Sequence, residues 1–168
     1  MSTLIPWGIY LFILIELFIV SYLDIKFRKI KNYWSILNII LALIFFILFP
    51  ELYQFKVEAF GFSFVFFLVG FFLFTLKIMG GGDSKFLATF FLIIPTRAHD
   101  EVFIHLLSAT VIIGIIFFVA NIIQNFEGIV ESFKNSDLKG VKNYFGKKFA
   151  YAPVILFSWI SFGVFNLI

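Results

Sequence analysis

Six apolar runs, separated by short polar segments, restrict the folds that are open to this chain. Most of them reach the roughly 17 to 25 residues that a helix needs to cross about 30 Å of hydrocarbon, whereas the fourth is short. Hydrophobic residues make up 62% of the sequence and charged residues only 14%, unlike a soluble globular domain. The sequence predicts an all-α integral membrane protein, a bundle of six transmembrane helices in a single domain over residues 1–168. The runs cover residues 4–23, 33–49, 57–78, 86–96, 102–123 and 149–168.

The basic residues are concentrated on one side of this six-span arrangement. Of the 13 Lys and Arg residues, only Lys56 and Arg97 lie on the opposite side. The positive-inside rule makes the basic side cytoplasmic, so both termini are expected outside the cytoplasm and the protein in the cytoplasmic (inner) membrane. The lipid bilayer is the predicted partner of these segments, and no nucleic-acid partner is predicted. The basic side carries Lys26, Arg28, Lys29, Lys31, Lys77, Lys85, Lys134, Lys139, Lys142, Lys147 and Lys148.

The loop over residues 124–148 contains five of these lysines together with apolar residues at near-helical spacing. This pattern predicts an amphipathic segment on the cytoplasmic surface of the membrane. Three glycines in the same loop leave a solvated linker as the alternative. The apolar residues are Phe126, Val130, Phe133, Val141 and Phe145, and the glycines are Gly128, Gly140 and Gly146.

Two aspartates lie at the cytoplasmic ends of different predicted helices. Asp24 ends the first span and Asp83 begins the fourth. Because these spans run in opposite directions, both acids are expected at a similar membrane depth, where a helix bundle can bring them together. An acid near hydrocarbon is costly and is therefore a functional candidate. The alternative is that Asp24 is an interfacial charge and that Asp83 only caps a helix N-terminus.

Three consecutive glycines, Gly80 to Gly82, stand directly before Asp83. Without a Cβ atom, they are expected to allow a positive φ and a close approach of another chain, such as an extended peptide held near the acids. Two carboxyl groups held close together share a proton near neutral pH. Such a pair can activate a water molecule for attack on a peptide carbonyl without a metal or a cofactor.

The residues around both acids resemble a known family. "GGGD" at residues 80–83 fits the G-x-G-D motif, and Asp24 with the following "IKFRKIKN" resembles the first-aspartate segment of type IV prepilin and preflagellin peptidases. That segment commonly reads as an acid, a basic stretch and then Ile-Pro-Asn. Ile30 and Asn32 match it, and Lys31 replaces the proline. "GGGDSKFLA" and "YAPVI" at residues 151–155 are also similar to family segments.

The resemblance implies an intramembrane aspartyl endopeptidase that removes a short basic leader from prepilin-like or preflagellin-like membrane-anchored precursors at the cytoplasmic face. Larger, bifunctional members carry a cysteine-rich zinc segment after the first helix, but this chain contains no cysteine. It is therefore similar to the short, peptidase-only form, and no metal or cofactor is expected. The resemblance assigns catalysis to Asp24 and Asp83, with Gly80, Gly82, Lys85 and Asn32 as substrate-binding or structural support.

Other ionisable residues have structural interpretations that we favour. Glu16 lies mid-span, two helical turns before Asp24, where such a residue is more often an interhelical hydrogen-bond partner than a catalytic group. Lys85 is expected to extend towards the cytoplasm. His99 and His105 flank "DEVFI", but their spacing is not i, i+4 and they lie away from the acids, so a metal site is not predicted.

Two other classes of function stay open at this stage. A small transporter or channel would use Glu16, Asp24 and Asp83 as cation or proton sites. A noncatalytic subunit of a secretion or pilus machine would need none of them for chemistry. A transporter predicts acids distributed through the membrane depth, whereas a protease predicts both key acids at one depth. The positions of Asp24 and Asp83 therefore favour the protease.

Overall fold

The computed structural model describes residues 4–76, 79–134 and 150–166, and these fold almost entirely into helices. Within those ranges there is no β-strand, and a short 3-10 helix at Thr96–Ala98 precedes the fifth α-helix. The all-α prediction is confirmed. The α-helices are α1 (Trp7–Phe27), α2 (Asn32–Leu48), α3 (Val57–Thr75), α4 (Gly81–Phe90), α5 (His99–Gln124), α6 (Phe126–Lys134) and α7 (Ala152–Asn166).

The helices differ in their capacity to cross a membrane. By length and composition, α1, α3 and the segment Thr96–Gln124 around α5 are long and apolar enough to do so, and α2 and α7 are shorter apolar helices. The chain is thus a membrane protein. Helix α4 has only 10 residues, which corresponds to about 15 Å at 1.5 Å per residue. The short fourth apolar run therefore forms a short helix followed by turns at residues 91–94.

Six of the helices pack in two groups of three. The first helix group contains α1, α5 and α7, and the second helix group contains α2, α3 and α4. In the first group, the ring of Tyr10 stacks on Trp159 at a centroid distance of 5.3 Å, and Trp159 Nε1 donates to the Tyr10 carbonyl at 3.2 Å. In the second group, the Ser84 hydroxyl donates to the Gly70 carbonyl at 2.8 Å. Each group therefore has its own buried polar contact between helices.

Aromatic side chains join the two groups in the interior. Phe90 of α4 meets Trp159 of α7 at a centroid distance of 5.7 Å, and Phe66 of α3 meets Phe103 of α5 at 6.0 Å. Phe90 and Trp159 are completely buried. Most of the buried apolar residues of both groups belong to one cluster, so burial of this aromatic surface holds the groups against each other.

The chain alternates between two ends of the bundle. At one end, Glu51 of the α2–α3 connection lines a cleft together with Arg97, whose Nε donates to the Leu4 carbonyl at 3.0 Å. At the other end, Asp24 and the start of α4 line a second cavity. Residues 80–97 therefore extend from one end of the bundle to the other, although α4 itself is short.

Part of the predicted amphipathic loop is described. Helix α6 covers its beginning and ends at Lys134, so that part of the loop is helical. The remaining residues to which we gave a role lie outside the described residues, and so does the side chain of Phe133. These residues are Lys77, Lys139, Gly140, Val141, Lys142, Phe145, Gly146, Lys147 and Lys148.

Candidate active site

A cavity of about 550 Å³ lies at one end of the bundle, where the two helix groups meet. The first group contributes Asp24 of α1 and Thr110 of α5, and the second group contributes Asp83 of α4. Acids that are 59 residues apart in the sequence therefore share one cavity. All six residues for which the sequence suggested a catalytic or supporting role line it: Asp24, Asn32, Gly80, Gly82, Asp83 and Lys85.

Asp24 is buried in the last turns of α1, with only 2% of its surface exposed. Its Oδ2 accepts a hydrogen bond from the amide of Ala152, the first residue of α7, at 3.1 Å. The backbone of Tyr151 also forms a hydrogen bond with this carboxyl group, and the positive charge of Arg28 attracts it. The carboxyl group therefore lies at the N-terminus of a different helix, where the helix dipole favours a negative charge. Asp24 is not the exposed interfacial charge that the alternative interpretation required.

Asp83 is the third residue of α4 and is half-buried. Its Oδ2 accepts a hydrogen bond from the Gly80 amide at 3.2 Å, which caps its own helix. The capping role that we considered as an alternative is thus present, but the side chain also lines the cavity. Both acids are held through one carboxyl oxygen by an amide at a helix N-terminus, and such bonds restrict the orientation of the carboxyl group.

Gly82 allows the two helix groups to approach each other at the cavity. A Cβ atom at this position would overlap the carbonyl oxygen of Ile30, which lies in the turn between α1 and α2. This turn begins at Arg28, directly after α1 ends, so its contact with Gly82 also influences how close the end of α1 lies to α4. The protein's own turn therefore approaches Gly82 closely.

The glycines do not adopt the positive φ that they were expected to allow. None of the glycines in the described residues has a positive φ, and Gly80 has an extended conformation with a φ of −73°. The one left-handed residue in the described part of the chain is Arg28, with a φ of 52°, where α1 ends. The glycines serve close packing instead: a Cβ at Gly80 would lie 2.9 Å from Asp83 Oδ2, and one at Gly81 would lie 3.3 Å from the Phe74 ring.

Asn32 and Lys85 lie at the exposed margin of the cavity. Asn32 is the first residue of α2, Lys85 follows Asp83 by two residues on α4, and both side chains are exposed. An exposed lysine beside the opening is compatible with the predicted extension of Lys85 away from the hydrocarbon. Both side chains therefore line the cavity and are also exposed.

Tyr151 and Thr110 also line the cavity, and we did not assign them a role from the sequence. The Tyr151 hydroxyl lies 3.1 Å from Thr110 Oγ1. The Tyr151 side chain is half-buried, and the negative charge of Asp83 interacts with its phenol. The resemblance of "YAPVI" to family segments is the only sequence signal for Tyr151. Thr110 lies within an apolar run and has no such signal.

Glu16 is buried but does not line the cavity. The side-chain amide of Asn38 on α2 lies beside this carboxyl group. In the orientation that turns its nitrogen towards Glu16, that nitrogen donates to Glu16 Oε1 at 2.7 Å. This bond connects α1 to α2 and therefore the first helix group to the second. The structure thus provides the interhelical partner that we expected for Glu16.

The two histidines are separated from the acids and from each other. His99 Nε2 lies 3.0 Å from the Ile94 carbonyl, and His105 Nδ1 lies 2.9 Å from Ser161 Oγ. Among the described residues, no three His, Cys, Asp or Glu side chains are grouped closely enough to hold a metal ion. These contacts support structural roles for both histidines.

These features define a class of protein: a helical membrane protein with two carboxyl groups in one cavity at an end of its bundle. Comparison with protein-family models matches residues 11–120 to the type IV leader peptidase family. The matched range contains both Asp24 and Asp83 and spans more than half of the 168 residues. The chain belongs to the type IV leader peptidase family. No curated protein and no solved structure matches the chain.

Proposed function

We propose that this protein is an intramembrane aspartyl endopeptidase that removes the short basic leader from prepilin-like or preflagellin-like precursors. One observation carries the proposal: Asp24 and Asp83 line a single cavity in a chain of the type IV leader peptidase family. The substrate is a membrane-anchored protein whose cleavage site enters this cavity. The reaction is hydrolysis of one peptide bond.

Asp24 and Asp83 form the catalytic pair in this proposal. One carboxylate takes a proton from water as the water oxygen attacks the peptide carbonyl carbon, and the other carboxylic acid gives its proton to the carbonyl oxygen. The C–N bond then breaks as the first carboxyl group gives the proton that it took from water to the leaving nitrogen. The second carboxylate takes a proton back from a hydroxyl of the intermediate, which leaves the new carboxylic acid product and restores the pair. The Ala152 and Gly80 amides orient the two acids before the substrate arrives. Catalysis needs no metal and no cofactor.

The whole chain, residues 1–168, forms one membrane-embedded domain with six spans in this proposal. Support comes from the alternation of the chain between the two ends of the bundle, including residues 80–97. The cavity end faces the cytoplasm, because Arg28, Lys29 and Lys85 line the cavity there and basic residues favour that side. Both termini are extracytoplasmic, the membrane is the cytoplasmic membrane, and residues 124–148 lie on its inner surface.

Cleavage of a precursor by the purified protein tests the proposed activity. The protein in detergent micelles is incubated with a leader-bearing pilin precursor, and the products are analysed by mass spectrometry. We expect a single cut after the leader, undiminished by excess chelator. The same precursor with a scrambled leader serves as the control. If the leader-bearing precursor stays intact, the activity is overturned, and a strict zinc requirement would overturn the metal-free mechanism.

Reporter fusions test the proposed topology. A reporter inserted within residues 134–142 should report a cytoplasmic position, and a reporter at either terminus should report an extracytoplasmic position. An extracytoplasmic signal from residues 134–142 contradicts the six-span arrangement.

The alternative function, a transporter, would need an ion path through the membrane. The family match does not support that function.

A further inference from the structure

The hydroxyl of Tyr151 is held in a chain of hydrogen bonds that determines its orientation. Thr110 Oγ1 donates to the Leu106 carbonyl at 2.7 Å. A threonine hydroxyl has one hydrogen, so in the 3.1 Å contact between Thr110 and Tyr151 the phenol is the donor. Towards any other group, the Tyr151 oxygen can then only accept a hydrogen bond.

Tyr151 is also connected to both acids. Its backbone forms a hydrogen bond with the Asp24 carboxyl group, and the negative charge of Asp83 interacts electrostatically with its phenol. Tyr151, Asp24 and Asp83 line the same cavity. An oxygen that can only accept suits a partner that donates, and the attacking water of peptide hydrolysis is such a partner. If one O–H of the water points to a carboxylate and the other to the phenol oxygen, a lone pair is left for the peptide carbonyl carbon.

We infer that Tyr151 is a further active-site residue, whose hydroxyl, oriented by Thr110, accepts a hydrogen bond from the attacking water. This inference rests on the proposed peptidase function. It places the N-terminus of α7, which lies outside the matched residues 11–120, within the catalytic machinery. The amide of Ala152 fixes Asp24, and the neighbouring side chain orients the water.

Single substitutions separate this role from a structural one. Tyr151→Phe removes only the hydroxyl, and we expect kcat to fall about tenfold with KM unchanged, as for the loss of one hydrogen bond in the transition state. Thr110→Val should cause a similar fall, whereas Thr110→Ser should restore near-normal kcat. Because Thr110 acts through Tyr151, the double variant Tyr151→Phe/Thr110→Val should be no slower than Tyr151→Phe.

Tyr53→Phe is the matched control for the loss of a buried phenol. Tyr53 is 2% exposed, and its hydroxyl donates to the Ile93 carbonyl at 2.8 Å, away from the cavity. We expect this variant to lose thermal stability but to keep its kcat. A Tyr151→Phe variant with unchanged kcat, or with a fall matched by Tyr53→Phe, overturns the inference.

A titration that does not depend on cleavage tests the contact between Tyr151 and Asp83. The tyrosinate absorbance of Tyr151 is isolated as the difference between each protein and its Tyr151→Phe counterpart. Because the Asp83 charge opposes ionisation of the phenol, Asp83→Asn should lower the pH at which Tyr151 ionises. The control is Asp100→Asn, at an exposed residue in the first turn of α5 that does not line the cavity, and it should not change this pH. The charged groups that line the same cavity are Asp24, Arg28, Lys29, Asp83 and Lys85.

The two readouts distinguish the inference from the function on which it rests. If the unmodified protein cleaves but Tyr151→Phe keeps its kcat, the inference fails and the peptidase function stands. If the unmodified protein does not cleave, both the function and the water-positioning role fail. An unchanged Tyr151 titration in Asp83→Asn overturns the inference even in a protein that cleaves.

Discussion

The two helix groups hold their acids in different ways. In the second group, Asp83 accepts a hydrogen bond from the amide of Gly80, three residues earlier in the same segment. In the first group, Asp24 on α1 accepts a hydrogen bond from the amide of Ala152 on α7, which is 128 residues away in the sequence. The first acid therefore depends on the packing of two helices, whereas the second depends on one helix turn.

This difference shows where the site is sensitive to distant changes. The position of Asp24 follows from the α1–α7 interface, where Tyr10 stacks on Trp159. The position of Asp83 relative to Asp24 follows from the contact between Gly82 and the Ile30 carbonyl. We expect substitutions at these two contacts to change the site without touching either acid.

The largest effect should come from the acids themselves. Asp24→Asn and Asp83→Asn each remove a group that must gain or lose a proton, and we expect cleavage to fall by about a hundredfold to ten-thousandfold. The double variant should be little slower than either single variant, because the acids act as a unit. Rates with a leader-bearing precursor measure this, and Asp100→Asn is the control. Near-normal cleavage by either well-expressed variant rejects the catalytic pair.

Gly82→Ala should separate the helix groups at the cavity. The new Cβ would overlap the Ile30 carbonyl, and relief of such overpacking costs about 1–3 kcal/mol. We expect a cleavage rate about tenfold to a hundredfold lower, together with a lower unfolding temperature in detergent. Gly61→Ala, where a Cβ would meet nothing within 4 Å, should keep both the rate and the stability. Equal behaviour of the two alanine variants contradicts this role for Gly82.

Trp159→Phe tests the dependence of Asp24 on the α1–α7 interface. The change removes the indole N–H that donates to the Tyr10 carbonyl at 3.2 Å, with a cost to the free energy of unfolding of about 1 kcal/mol. Because α7 also supplies the amide for Asp24, we expect a decrease in cleavage rate as well as in thermal stability. A stability loss with a fully normal rate shows that the interface does not influence Asp24.

Glu16→Gln should have the smallest effect. Glutamine retains a polar group that can bond to Asn38, and Glu16 does not line the cavity. We expect the cleavage rate to stay within about threefold of normal, since at most part of one hydrogen bond is lost. The same precursor assay measures this. A loss as large as that of Asp24→Asn would instead place Glu16 in the proton-transfer chemistry.

The sequence by itself predicts the all-helical class and the candidate residues, because these depend on local properties. Long apolar runs favour helices in a membrane, and "GGGD" together with Asp24 marks the two acids. The cap of Asp83 is equally local, since Gly80 and Asp83 belong to one turn. These predictions needed only neighbouring residues and the resemblance carried by the quoted motifs.

Only the tertiary structure determines the hydrogen-bond partners of Asp24 and the close contact of Gly82 with another segment. It also determines that Tyr151 and Thr110 line the cavity. Each depends on contacts between helices that are distant in the sequence, and apolar runs of similar composition do not specify which helices pack together. The positive φ that the glycines were expected to allow is not adopted, and only the folded chain shows that the Ile30 carbonyl occupies the space beside Gly82. Helix formation follows from local hydrogen bonding, whereas the site depends on close packing between distant segments.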